Sequence, residues 1–141
     1  MTGKIPKKNP REGIDEYGRT DLHYAESIKE LDKLLVEGLD INLQDDNGWC
    51  ALHFYAQDRR FELMQRLIEN GANLNLIDSH GNPPLWTAVM NAKGDYSCVE
   101  LLLSSGAIFD QKNKHGRSPL DMANTIKAGG LEELFAKYQN G

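Results

Sequence analysis

The chain repeats itself. Four segments align on a glycine: DEYGRTDLHYA from Asp15, DDNGWCALHFYA from Asp45, DSHGNPPLWTAV from Asp78 and NKHGRSPLDMA from Asn113. The glycines, Gly18, Gly48, Gly81 and Gly116, are separated by 30, 33 and 35 residues. The first three units also close on a shared pattern, LDKLLVEGLDIN, MQRLIENGANLN and VELLLSSGAIFD. A period of this length constrains the fold more than composition does. Each unit is one supersecondary element that cannot bury its own apolar face, so the units must stack.

The residue types say what each unit contains. The aligned glycine suits a tight turn, and Thr20 or Ser118 can cap the short helix that follows. Pro84 and Pro119 fit a first helical turn, where the missing N–H costs nothing. Short first helices are therefore expected near Leu22, Leu52, Leu85 and Leu120. The second helices carry Leu31, Leu34 and Leu35, then Leu63, Leu67 and Ile68, then Val99, Leu102 and Leu103, a spacing that lays one apolar stripe along one face. Gly38, Gly71 and Gly106 are the expected left-handed stops. Asn42 and Asn75, at the ends of the closing pattern, are expected to bond the backbone of their own turn. The reading is an all-α solenoid of four helix-turn-helix repeats with short β-turn or hairpin fingers, at about 15–44, 45–77, 78–112 and 113–138, in a single domain over 15–141 behind a flexible basic tail over 1–14.

In these segments the chain resembles ankyrin-repeat proteins, whose unit of about 33 residues is a turn and two antiparallel helices opening on T-P-L-H-x-A. RTDLHYA, CALHFYA and RSPLDMA are partial matches that fall in register, and the resemblance covers residues 15 to about 138. There are departures. The first unit lacks about three residues at HYAESIKEL and the third has about two extra at VMNAKGDYS; Trp86 and Asp121 replace the usual histidine, and Tyr55 a usual alanine. LEELFAKYQNG keeps Leu131, Leu134 and Phe135 for the stack and is otherwise polar or small, as a terminal repeat requires.

NGWCALHFYA (47–56) places Trp, Cys and His close together, which poses the question of a metal site or a nucleophile. Recurrence of the stretch argues for architecture instead. The resemblance implies that His23 and His53 are structural, each ring bonding backbone in neighbouring turns. Cys50 and Cys98 lack CxxC spacing and read as small core residues. No Ser/His/Asp order, phosphate loop or paired carboxylates occurs, so no enzyme, metal or cofactor is expected.

What remains is binding. The charge of −5 hides a split: residues 1–14 carry +3, leaving −8 on residues 15–141. So acidic a body repels nucleic acid and anionic membranes and attracts basic partners. There is no long apolar run and no signal-like leader, so the expectation is a soluble, cytoplasmic chain, monomeric when free. Ankyrin-like arrays use finger tips and inner helices as a concave surface. Carried onto this sequence, the fingers supply Glu16, Tyr17 and Arg19; Asp46, Asn47 and Trp49; Ser79, His80 and Asn82; Lys114, His115 and Arg117. The inner helices add Gln57, Asp58, Met90 and Asn91. Trp49 stands out as a projecting aromatic anchor, the alternative being that it folds back on Tyr17 or a neighbouring finger. Aromatic and acidic groups gather in the first two units, basic ones in the last. With no other segment in the sequence, the expected role is protein binding alone. Its most pointed form is an immunity protein that neutralises a basic bacterial toxin, and its competitor is an adaptor that holds a partner without inhibiting it.

Overall fold

The computed structural model describes residues 13–126 and 129–139. The basic tail expected over 1–14 falls almost wholly outside them. Seven α-helices and one 3-10 turn are present, with no strand among the described residues. The 3-10 turn is Asp21–Tyr24, and the helices are α1 Ile28–Val36, α2 Ala51–Gln57, α3 Phe61–Glu69, α4 Pro84–Met90, α5 Ser97–Ser104, α6 Pro119–Ile126 and α7 Leu131–Gln139. The 3-10 turn, α2, α4 and α6 stack as an inner row, and α1, α3, α5 and α7 as an outer row. The core lies between the rows, with Leu22, Leu52, Leu85 and Ala123 facing Leu31, Leu67, Leu102 and Phe135, all at most 1% exposed.

The boundaries follow from the residues. Thr20 Oγ1 accepts the Leu22 N–H at 3.2 Å and Ser118 Oγ accepts that of Asp121 at 3.1 Å, so both act as N-caps. α4 and α6 begin on Pro84 and Pro119. Gly38, Gly71 and Gly106 follow the outer helices at φ +85°, +87° and +98°. Length differences land between the helices of a pair. α2 and α3 are joined by residues 58–60, whereas α4 and α5 are joined by 91–96, with Lys93 and Gly94 at positive φ. The three residues missing from the first unit shorten its inner helix to one 3-10 turn.

One expectation needs correction. Asn42 and Asn75 do not bond their own turns. The Oδ1 atoms reach into the next unit, accepting the N–H of Asn73 at 2.8 Å and of Ile108 at 2.9 Å. Asp40 and Asn73 close the local turns instead, through Asn42 N and Asn75 N. A carboxamide two residues further along the turn lies nearer the next unit's backbone than its own, and it stitches the stack.

Candidate functional site

Each finger is built by its first residue. Asp15 Oδ1 accepts the N–H groups of Tyr17 and Arg19, both at 2.9 Å, and Asp45, Asp78 and Asn113 do the same at positions +2 and +4. Gly48, at φ +82°, completes such a turn where a Cβ would lie 2.7 Å from Asp78 Cα in the next finger. The fingers are also joined to one another. The N–H groups of Asp46, Ser79 and Lys114 donate to the carbonyls of Tyr17, Asn47 and His80 at 2.9, 2.9 and 3.0 Å.

The fifth residue of each finger then reaches forward to the first residue of the next. Arg19 Nε donates to Asp45 Oδ2 at 2.9 Å, Trp49 Nε1 to Asp78 Oδ2 at 3.0 Å, and Asn82 Oδ1 accepts from Asn113 Nδ2 at 2.8 Å. Two sequence expectations are thereby corrected. Trp49 does not project: its indole stacks on His53 (centroids 5.3 Å) and meets Phe54 edge-on (4.9 Å), so it folds onto the neighbouring finger and α2. Asn82 is buried, at 9% exposure, because its side chain joins two fingers. Arg19 is likewise committed, packed over Tyr17 and Phe54 beside the Asp45 carboxylate.

The inner helices share a second device at their N-termini. The N-cap N–H is a buried donor that needs an acceptor, and the third helical residue supplies one. His23 Nδ1 accepts from Thr20 N and His53 Nδ1 from Cys50 N, both at 3.1 Å. With Nδ1 accepting, Nε2 carries the proton. It donates to the next finger, to Trp49 O at 3.1 Å from His23 and to Asn82 O at 2.9 Å from His53. Burial holds both imidazoles below the ordinary histidine range, in keeping with neutral rings. In the fourth unit Asp121 does the accepting, taking Ser118 N at 2.8 Å. Lys112 beside it and the Ser118 bonds hold its carboxyl down to about 2. In the third unit the N-cap is Pro83, which has no N–H to satisfy. Trp86 therefore has no acceptor role to fill, and both departures from the histidine pattern are accounted for.

The same geometry answers the question posed by NGWCALHFYA. Cys50 Sγ lies 3.2 Å from His53 Nδ1, but that nitrogen is already accepting a backbone N–H, and burial pushes the thiol up to about 11. This pair is not an activated nucleophile. Burial likewise raises Cys98 to about 11. No group of three or more His, Cys, Asp or Glu is placed to hold a metal among the described residues.

What the arrangement leaves open is a groove of about 510 Å³ between the second and third fingers and the ends of α2 and α4. Eight of the sequence-assigned residues line it: Asn47, Trp49, Gln57, Ser79, His80, Asn82, Met90 and Asn91. Glu16 and Asp46 are exposed on the near fingers, Tyr17 and Arg19 are packed together, and Asp58 borders a smaller cleft of about 150 Å³ with His23 and Phe54. Lys114, His115 and Arg117 lie beyond the groove on the last finger, where the His115 ring stacks on that of His80 at 6.1 Å and Arg117 bonds Thr125 at 2.8 Å. Sequence reasoning left Trp86 and Thr87 out of the site, although both line the groove. The signal was present: a tryptophan in a histidine slot with a methionine four residues on puts two large groups on one helix face.

The chain matches the family described as ankyrin repeats (3 copies) over residues 22–114, more than half its length. It is 33% identical over 137 residues to an intracellular phospholipase A2 of Caenorhabditis elegans, covering 90% of this chain and 12% of that protein. It is 32% identical over 128 residues to SMC5-SMC6 complex localization factor protein 1 of Bos taurus (84% and 12%), and 28% identical over 100 residues to target of rapamycin complex 2 subunit AVO2 of Saccharomyces cerevisiae (69% and 23%). The chain thus spans under a quarter of each of these relatives, and what is shared with them is the repeat array. Its four-fold finger, its paired helices and its family match agree, and the chain belongs to the ankyrin-repeat family, whose members serve as protein-interaction modules.

Proposed function

We propose that this chain acts by holding another protein in the groove between its fingers and inner helices, without catalysing a reaction. The groove itself carries the reading, a cleft of about 510 Å³ bordered by both tryptophans of the chain and by polar side chains left over from the finger stitching. A second cleft of similar size, about 520 Å³, opens at the opposite edge beside Glu26, Arg60 and Phe61, but there Arg60 is already bonded to the Glu26 carbonyl.

The sharper form of the proposal is an inhibitor, an immunity protein that covers the working surface of a basic toxin such as a nuclease. The charge of −8 on residues 15–141 supports it, since an acidic body speeds encounter with a basic one. Scaffolding is the second reading, supported by relatives whose names place them in, or in the localisation of, protein complexes.

A photo-crosslinking amino acid at position 90, in the groove, is compared with one at position 65, exposed on α3, in a lysate of the source organism. One protein crosslinked from position 90 and not from 65 is the expected result; the reverse pattern overturns the groove. The captured protein is then assayed with a stoichiometric amount of the chain. Loss of its activity identifies an inhibitor, and unchanged activity an adaptor.

A further inference from the structure

We infer that the groove seats an uncharged, apolar side chain of an extended partner segment on Trp86 and Met90, with charge recognised only at the flanks. This rests on the groove being the binding face, and adds what enters it.

Four observations lead there. Trp86 and Met90 are one turn apart on α4 and both line the groove; Met90 is 48% exposed. Trp86 is released from the stack by Pro83, and its indole N–H has no acceptor among the described residues, in contrast to that of Trp49. The side-chain amides of Gln57 and Asn47 also lack partners there, and Asn91 uses only its Nδ2, on Thr87 O. One indole donor and three amides around a thioether suit the alternating donors and acceptors of an extended backbone, with one side chain pointing inward.

The fourth observation concerns charge. The groove's one carboxylate, Asp78, is buried at 8% exposure and consumed by Trp49 Nε1 and the N–H groups of His80 and Asn82. A lysine or arginine in the seat would lose water without meeting a free carboxylate, which is costly. An aliphatic or aromatic side chain loses nothing polar and packs on the indole and the thioether. Exposed charge lies outside the seat: Glu16 toward one end, Lys114 and Arg117 toward the other. The fitting segment has an apolar anchor with basic residues on the side facing the first two fingers and acidic ones on the side facing the last.

The test selects a phage-displayed library of random linear dodecapeptides against the whole chain. Enriched sequences should share one large apolar residue between a basic and an acidic flank. A synthetic peptide of that consensus should bind at least tenfold more weakly to Trp86→Ala and to Met90→Ala, each shown folded by circular dichroism. Raising salt should weaken binding to wild type and to Met90→Ala by the same factor, since the seat holds no charge. Enriched peptides that depend on Trp86 but require a lysine or arginine anchor overturn the inference and leave the groove standing. Peptides indifferent to both substitutions overturn the groove as well. A library yielding no enriched linear sequence overturns the extended segment, while position-90 crosslinking judges the groove independently.

Discussion

The two tryptophans border one groove and do opposite things. Trp49 is bonded to Asp78 of the next finger, stacked on His53 and met edge-on by Phe54. Trp86 stands where units one and two carry a histidine, yet it ties no finger to another: Pro83 presents no donor for it to accept, and its own indole N–H meets no acceptor among the described residues. The lesson is that a large aromatic in a repeat is assigned by counting its hydrogen-bond partners, not by its place on a projecting turn. The fifth residues of the first three fingers are spent on joining units, and the large apolar residues free to meet a partner lie one layer in, on α4.

The sharpest way to break the comparison is at the tied histidine. His53 is 0% exposed and serves two backbone groups, so His53→Ala leaves a cavity and two unsatisfied polar groups and should cost about 4 kcal/mol, read from urea unfolding midpoints. Next is the finger ladder. Gly48→Ala drives a Cβ onto the Asp78 backbone at positive φ and should cost about 3 kcal/mol, whereas Gly116→Ala, with open space at φ +78°, should cost about 1 kcal/mol. Equal losses at the two glycines would mean that the fingers are not in contact.

Trp49→Phe keeps the stacking and removes the bond to Asp78, for an expected loss of about 1.5 kcal/mol. Acid should loosen the same ties. His23 and His53 titrate below the ordinary range when folded, so the unfolded chain takes up protons first as pH falls. Stability is therefore full above about pH 6.5 and declines below it, by up to about 1.4 kcal/mol per pH unit for each ring until the folded value is reached. Denaturant unfolding between pH 7.5 and 5 reads this directly. The smallest effect is expected on the untied side, where Met90→Ala should change stability by no more than about 0.5 kcal/mol while weakening partner binding.

How much of this was legible in the sequence depends on the range of the interaction. The turn glycines, the proline starts, the apolar stripes and the loop lengths are local, and they read correctly from spacing alone. Asn42, Asn75, Trp49 and Asn82 were misread for one reason: each bonds a residue about 30 positions away in the next unit. A period says that units stack but not which side chains cross the joint. Trp86 and Asp121 were visible as departures from a pattern, yet their sense depended on the N-cap three residues earlier, where Pro83 presents no donor and Ser118 does.

The most direct test of the account uses the chain's own fluorescence, since Trp49 and Trp86 are its two tryptophans. In a Trp49→Phe background all indole emission comes from Trp86. Titration with the protein captured by position-90 crosslinking should shift that emission to shorter wavelength and saturate at one equivalent, as water leaves the exposed edge of the ring. Saturable binding of the same partner with Trp86 emission unchanged would contradict the account, because the partner would then sit elsewhere on the array.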